Sequence, residues 1–281
     1  MNCSSPSEVR RCRPLLGTFV AITAAGLDET RLDTAVNAAF GAIEDIERRM
    51  SVHDPSSEIA RLNREAYSHP VAVSAETFEV LGRAERLAAE SDGAFDHTIA
   101  PTLARWGLLP KALARKKPGG WRSVSLLRDR RVLFLQPLAV DLGGIAKGFA
   151  VDTAIGSLRR SGVVAAVVNA GGDLRVFGPK PETVHLRHPS APQLSAQHLE
   201  ILNASLATSA PYFTERRWRG RRVSHLVNPR DRSAVTGGIS VSVRADECWL
   251  ADALTKVVLN SPRLAERVLA QHHAEAFVLT A

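Results

Sequence analysis

Residues 140–178 read VDLGGIAKGFAVDTAIGSLRRSGVVAAVVNAGGDLRVFG and contain two glycine-rich turns, each carrying an aspartate. The pattern predicts an amphipathic helix and a buried strand between the turns, with a second strand after them. Glycine lets the backbone approach a ligand closely, and a helix start presents N–H groups and a positive dipole that suit phosphate. Lys147 adds a mobile cation. The stretch therefore predicts a site for a phosphorylated ligand, although ordinary helix–strand connections are also rich in glycine.

The rest of the chain mixes helical and strand periodicity without regular alternation. Apolar spacing predicts helices over residues 32–50, 56–63, 74–91, 146–160, 251–259 and 262–272. Apolar and β-branched runs predict strands over residues 15–24, 163–169, 174–177, 184–187, 199–208, 222–227, 239–243 and 277–280, and two more within 124–141. A surface loop is predicted over residues 110–120. The count favours an α+β fold, with helices packed on a largely antiparallel or mixed β-sheet. The glycine spacing does not follow GxGxxG, which argues against a Rossmann fold.

At 281 residues the chain is long enough for one large domain or two closely packed lobes. We expect residues 1–14 to be a basic tail and residues 15–281 to form a single domain. The net charge of +7 lies mainly in clusters at residues 10–13, 111–117, 128–131 and 216–222. Such clusters are typical of solvated faces or of attraction to an anionic ligand. Aromatic residues are not interleaved with them, so nucleic-acid binding is not expected.

We expect neither a secretory signal nor a membrane-spanning segment from this sequence. No apolar run is long enough to span a bilayer, and the first residues lack the apolar core of a secretory signal. We therefore expect a cytoplasmic protein without a membrane span. Cys3, Cys12 and Cys248 are widely spaced and form no CxxC pair, which predicts neither a disulfide framework nor a zinc site.

Two further positions combine chemistry with a suitable local context. His225 precedes an Asn-Pro turn, where it could act as an acid or base near neutral pH or simply hold a strand end. Asp252, Thr255 and Lys256 share one face of a predicted helix, because residues three and four apart are neighbours. A carboxylate and a hydroxyl suit Mg²⁺, whereas Asp252 and Lys256 could equally form a surface ion pair.

The order of short motifs resembles one family. The motifs are PLLGT, MSVHDPSSEIARLN, DGAFDHTIAPTLARWG, DLGGIAKGFAVD, VNAGGDLRVFG, ATSAPYF, SHLVNPR and ADAL. Together they are similar to the FAD:protein FMN transferase family, also called the ApbE family, from about Leu15 to Phe277. DLGGIAKG followed at this distance by NAGGD is the most specific part of the resemblance.

The resemblance implies an ApbE-like, T-fold-like architecture and a bacterial enzyme that splits FAD. The enzyme would attach FMN to a Thr or Ser hydroxyl of an acceptor flavoprotein through a phosphodiester bond and release AMP. The resemblance implies that His225 is catalytic, and Asp173 and Lys256 are our further candidates for catalytic residues. Implied contacts to FAD are Leu16, Thr18, Asn63, Trp106, Lys147, Ala170, Gly171, Gly172, Asp173, Thr208 and Ser209. Implied ligands for Mg²⁺ are the carbonyl of Ala146 and the carboxylate of Asp252, and Thr255 is our further candidate from its place on the same helix face.

The chain departs from the family pattern at several positions. Lys256 stands where the family usually has a threonine metal ligand, so its ammonium could reach Asp252, take part of the metal's place or contact the pyrophosphate. Thr255 lies one residue earlier and could compensate. Asn228 replaces the aspartate of a family Asp-Pro pair, Ala210 replaces a glycine, and Leu16 replaces a methionine. These departures leave two alternatives to a transferase, a non-catalytic FAD-binding protein and an FAD pyrophosphatase.

Overall fold

The structure, a computed structural model, describes residues 7–117 and 120–281. The helices in this part of the chain are α1 (Glu29–Met50), α2 (Glu58–Glu65), α3 (Ala75–Glu90), α4 (Ala100–Arg105), α5 (Ala146–Arg160), α6 (Cys248–Asn260) and α7 (Pro262–Gln271). The first seven strands are β1 (Glu8–Leu15), β2 (Thr18–Ala25), β3 (Val71–Ala72), β4 (Val124–Leu127), β5 (Arg131–Phe134), β6 (Ala165–Ala170) and β7 (Asp173–Phe177). The later strands are β8 (Glu182–His188), β9 (Ala191–Ile201), β10 (Ser205–Ser209), β11 (Arg216–Trp218), β12 (Arg221–Val223), β13 (Ile239–Ala245) and β14 (Glu275–Thr280).

A seven-stranded sheet in the order β1-β2-β6-β7-β10-β13-β14 organises the molecule. Each neighbouring pair is antiparallel. In β2 the residues Val20, Ile22 and Ala24 are buried while those between them are less so, which is the period of two expected when one face covers the main core. The predicted α+β class is thereby confirmed.

Three helices pack in sequence against this core. Helix α1 begins at the N-cap Asp28, whose side chain accepts the Arg31 N–H at 3.0 Å, and it packs along α5. Helix α5 packs in turn on α6, and the two approach very closely at Gly148. A Cβ there would lie 2.3 Å from the carbonyl oxygen of Cys248, so only glycine fits the contact.

The hairpin of β8 and β9 covers the other face of the sheet. Val167 packs against a second apolar cluster, whereas its neighbours Ala166 and Val168 belong to the main core. That second cluster contains Leu186 of β8 and Ile201 of β9. Two smaller sheets, β3-β5-β4 and β11-β12, complete the strands of the described residues.

The structure corrects the sequence predictions in several places. Glu8–Leu15 is an edge strand paired with β2 along its whole length, not part of a tail, while residues 1–6 of the predicted tail lie outside the described residues. The predicted strand over 199–208 is split by a turn at Asn203, where φ is +50°, into the ends of β9 and β10. Lys111–Arg115 of the predicted loop forms a 3-10 turn, and residues 118–119 of that loop lie outside the described residues. Strand β12 ends at Val223, short of the prediction, and α4 was not predicted.

The predicted helices are confirmed, with ends displaced by at most a few residues. Among the described residues, no helix combines the length and apolarity needed to cross a membrane.

Candidate active site

A cavity of about 640 Å³ opens beside the start of α5. Its volume lies within the range of about 300–1,000 Å³ that is usual for small-molecule sites. The sequence-predicted residues that line it are Leu16, Ala146, Lys147, Thr208, Ser209, His225 and Lys256. These positions come from five separate parts of the chain, so the fold brings together most of the motifs that suggested a site.

The start of α5, with Ala146 and Lys147, lies at the wall of the cavity. The N–H of Ala146 donates to the carbonyl of Leu142 at 2.8 Å, and the Asp141 carboxylate accepts the Gly143 N–H at 3.1 Å. Ile145 at the N-cap position has no side chain that could cap the helix, and Lys147 lies in the first turn. An uncapped helix start and a cation beside it favour a negatively charged ligand.

Two lysines and two aspartates form a charge cluster at this wall of the cavity. Lys147 donates a short hydrogen bond to Asp173, and Lys256 donates one to Oδ1 of Asp252. Oδ2 of Asp252 accepts the Gly148 N–H at 3.3 Å, which ties α6 to the first turn of α5. The carboxylates are 2% and 1% exposed, whereas the side chains of Lys147 and Lys256 are 34% and 18% exposed. The charge cluster therefore turns its positive side towards the cavity.

The ionisation of the charge cluster follows from burial and mutual attraction. Burial raises the pKa of Asp173, and the nearby Asp252 raises it further against the opposing effect of Lys147. Burial also acts against ionisation of Asp252, but Lys147 and Lys256 together hold its pKa below the usual value. Burial acts to lower the pKa of Lys147, yet Asp173 and Asp252 raise it overall, so Lys147 keeps its charge.

The turn at residues 169–173 does not line the cavity. It fixes the position of Asp173, its last residue. The Asn169 side chain accepts the Gly172 N–H at 2.9 Å, and Gly171 has a φ of +66°. A Cβ on Gly171 would lie 2.5 Å from Oγ1 of Thr18, so Thr18 packs directly on this turn. Within the described part of the chain, the cavity wall does not include four predicted FAD contacts: Thr18, Ala170, Gly171 and Gly172. Their contacts place Asp173 at the start of β7, under Lys147.

Asn63 and Trp106 also lie away from the cavity wall. The Asn63 side chain is buried, and its amide forms two hydrogen bonds with the backbone of Val140. Trp106 packs partly buried against the core, and its carbonyl accepts a hydrogen bond from Arg216 at 2.8 Å. Both residues support segments that lead to the cavity, and the structure gives neither a direct contact with its interior.

The hydroxyls beside Asp252 are already engaged. Thr255 donates to the carbonyl of Asp252 at 2.6 Å, so it accepts the 2.7 Å hydrogen bond from Ser209. The Thr208 hydroxyl lies 2.8 Å from that of Ser242. Thr255 and Asp252 are fully buried, and neither lines the cavity.

These contacts do not fit the predicted Mg²⁺ site. A cation on Asp252 needs a free carboxylate oxygen, but Oδ1 faces the Lys256 ammonium and Oδ2 faces the Gly148 N–H. Thr255, the predicted hydroxyl ligand, is turned to Ser209 and to the Asp252 carbonyl. Within residues 7–117 and 120–281, no group of three or more His, Cys, Asp or Glu side chains could hold a metal ion.

His225 lies at the cavity wall on a loop that Ser224 fixes in place. The Ser224 hydroxyl donates to the carbonyl of Val235 at 2.6 Å and accepts the Leu226 N–H at 3.1 Å. His225 is an exposed residue, but partial burial of its ring lowers its pKa, and the charge of Asp141 opposes this only in part. The imidazole is therefore mainly neutral at neutral pH and can accept a proton.

Many residues at the cavity wall were missing from the sequence-predicted site, and three of them carry polar side chains of interest. Asp141 and His53 line the cavity with His225, and Asn260 of α6 lines it as well. The side-chain oxygen of Asn260 is buried without a hydrogen-bond partner, while its amide nitrogen donates to the carbonyls of Ala94 and Val227. His53 and Asp141 lie in motifs that carried the family resemblance, so the signal was present. Asn260 lies beyond the ADAL motif, and no motif marked it.

The fold and this cavity define an α+β protein with a charged site of small-molecule size. Residues 16–278 match the model of the ApbE family. The FAD:protein FMN transferase of Vibrio cholerae serotype O1 is 30% identical, over 90% of this chain and 81% of that protein. A crystal structure of the ApbE protein from Thermotoga maritima superposes with a TM-score of 0.87 at 24% identity, covering 98% of this chain and 94% of that one. The flavin transferase ApbE from Vibrio cholerae superposes with a TM-score of 0.80 at 25% identity, with the same coverage.

The chain belongs to the ApbE family. The family resemblance deduced from the motifs is thereby confirmed.

Proposed function

We propose that the chain is an FAD:protein FMN transferase, as its Vibrio cholerae relative is named. The observation that carries the proposal is the presence of Lys147, Lys256 and His225 at the wall of one cavity. Cleavage of a pyrophosphate requires cations that neutralise its charge and a base for the attacking hydroxyl. The cavity supplies both.

In the proposed reaction, the acceptor is a Thr or Ser hydroxyl of a flavoprotein. Its oxygen attacks the phosphorus of the FMN half of FAD while His225 takes the hydroxyl proton. The bond from that phosphorus to the bridging oxygen breaks, and AMP leaves with the bridging oxygen. The products are a phosphodiester between FMN and the acceptor, and free AMP.

The charge cluster and the start of α5 provide the electrostatic part of this proposal. The pyrophosphate would lie against the Lys147 and Lys256 ammonium groups and the first turn of α5. Negative charge that develops on the AMP phosphate meets cations held in place by Asp173 and Asp252. Preorganised charges of this kind need no rearrangement during the reaction. Thr208, Ser209 and Leu16 line the same cavity and remain the predicted contacts for the nucleotide.

A mass-spectrometric experiment tests the proposal. The purified chain is incubated with FAD, with and without a flavoprotein domain that carries a Thr or Ser acceptor. We expect AMP release together with an acceptor that gains the mass of FMN less water. Intact FAD that stays bound would indicate a binding protein, and free FMN without an acceptor would indicate a pyrophosphatase.

A further inference from the structure

The ammonium group of Lys256 occupies the place that a metal ion on Asp252 would need. It donates to Oδ1 of Asp252 and, at 3.0 Å, to the carbonyl oxygen of the same residue. Those two oxygens are hard, negatively polarised atoms of the type that Mg²⁺ prefers. A divalent cation could bind them only after the ammonium had moved away.

The other polar groups beside Asp252 are engaged as well. Gly148 donates to Oδ2, and the neighbouring hydroxyls of Thr255 and Ser209 are bonded to each other. Asp252 and Thr255 are fully buried and do not line the cavity, whereas Lys256 and Ser209 do. A ligand in the cavity would therefore meet Lys256 and not Asp252.

Lys256 retains the capacity to contact such a ligand. An ammonium has three N–H donors, and the two contacts with Asp252 use two of them. The side chain is 18% exposed and lines the cavity beside Lys147. The remaining donor can bond a phosphate oxygen while Asp252 keeps the ammonium in position.

From this geometry we propose that Lys256 replaces a divalent cation in this chain, so that FAD binds and is cleaved without Mg²⁺. The inference rests on the proposed function, because it takes the pyrophosphate of FAD as the anion. Lys256 supplies a fixed positive charge and one hydrogen-bond donor, and Asp252 positions it. The charge is covalently attached, and chelators cannot remove it.

The test uses the full chain, freed of metal with EDTA and desalted. FAD affinity is measured by flavin fluorescence in EDTA and in MgCl₂, and bound Mn²⁺ is measured by electron paramagnetic resonance with FAD present. For the wild-type chain we expect the FAD affinities in EDTA and in MgCl₂ to agree within about twofold. We also expect no stoichiometric binding of Mn²⁺ to the chain. FAD affinity at least about tenfold weaker in EDTA, together with one bound Mn²⁺ per chain, would overturn the proposal.

Two variants separate the role of Lys256 from that of the fold. Lys256→Thr opens the place beside Asp252, and we expect it to bind Mn²⁺ and to gain FAD affinity from MgCl₂. Lys256→Met keeps the aliphatic stem but loses the charge, and we expect its FAD affinity to fall about tenfold or more in EDTA. The control is Lys180→Met at an exposed surface position, for which we expect no change in either measurement. An unchanged FAD affinity in a folded Lys256→Met protein would count against the proposal.

The wild-type measurement decides the question even if a variant fails to fold. AMP release in EDTA, measured after the flavoprotein acceptor domain is added to the same samples, distinguishes this inference from the proposed function. Metal-independent FAD binding without AMP release would refute the transferase and retain the role of Lys256 in binding. AMP release that occurs only with MgCl₂ would retain the transferase and refute the replacement of the metal. Absence of FAD binding in both buffers would refute both.

Discussion

Two hydrogen bonds join the side chain of Asn63 in α2 to the backbone N–H and carbonyl of Val140, which lies 77 positions later in the chain. Its amide nitrogen donates to the Val140 carbonyl at 2.9 Å, and its amide oxygen accepts the Val140 N–H at 2.7 Å. Val140 directly precedes Asp141, which lines the cavity. Asn63 therefore positions the first glycine-rich turn from a distance.

Replacing Asn63 tests this positioning role. Asn63→Ala leaves a buried N–H and a buried carbonyl without partners, which costs about 1–3 kcal/mol for each group that finds no other partner. We expect the free energy of unfolding in urea to fall by about 2 kcal/mol or more, and FAD affinity to fall in the folded protein. Asn228→Ala, in a more exposed loop, is the control for asparagine replacement. A loss of FAD affinity without any loss of stability would show instead that Asn63 contacts the nucleotide.

Two glycines of α5 make a matched pair for the contact between α5 and α6. Gly148→Ala places a Cβ 2.3 Å from the Cys248 carbonyl oxygen, a backbone atom that cannot move alone. We expect the free energy of unfolding to fall by about 3 kcal/mol or more. Gly156→Ala meets only the end of the flexible Arg160 side chain, at 3.2 Å, and we expect a gain of about 0.5–1 kcal/mol from helix propensity. Urea unfolding followed by circular dichroism measures both, and equal effects would refute the close contact.

Local pattern was sufficient to predict most of the fold but not its long-range details. Apolar residues at helical spacing predict α1 and α5, and apolar, β-branched runs predict β2 and β6. The edge strand β1 was missed because its residues are mostly exposed and charged, which is also the composition of a tail. The break between β9 and β10 was missed because Asn203 adopts a positive φ that the flanking β-branched and apolar residues conceal.

Lys147, in the first turn of α5, is the subject of a third prediction. Lys147→Met removes the charge that neutralises Asp173 and contributes to neutralising Asp252. Breaking such a buried pair by removing one partner costs about 3–5 kcal/mol, and we expect a loss near the lower end because Lys147 is partly exposed. FAD affinity should also fall about tenfold or more. Urea unfolding and flavin fluorescence measure the two effects, with Lys180→Met as the control. Unchanged FAD affinity would place the pyrophosphate elsewhere.

The candidate site could be predicted only in part from the sequence, and the reason is physical. Residue type and motif order identify Lys147, Asp173, Asp252 and His225, but they do not show which side chains face the cavity. The Asp252–Lys256 pair follows from helical spacing, but the Lys147–Asp173 pair forms only because α5 packs against β7. The same packing shows that Thr18 and Gly171 hold a turn, which their motif could not distinguish from contact with a nucleotide.

A fourth prediction concerns His225 as the proposed base. Loss of a positioned acid or base typically slows a reaction by about 10²–10⁴-fold. We expect His225→Ala to slow AMP release and acceptor labelling within that range while FAD affinity stays within about twofold. His69→Ala, at an exposed position, is the control. Lost FAD affinity with no separate effect on rate would show that His225 supports the cavity and does not act on the acceptor hydroxyl.

The pH dependence of transfer gives an independent test of the same residue. Burial places the pKa of His225 below its usual value of 6.5, and only the neutral imidazole can accept a proton. The rate of AMP release at low acceptor concentration should therefore be constant above pH 6.5 and be lost as the pH falls through the lowered pKa. Asp141 opposes this shift, so Asp141→Asn should move the acidic limb to still lower pH. Stopped reactions analysed by mass spectrometry give both profiles. A midpoint above 6.5, or an identical limb in His225→Gln, would assign the titration to another group.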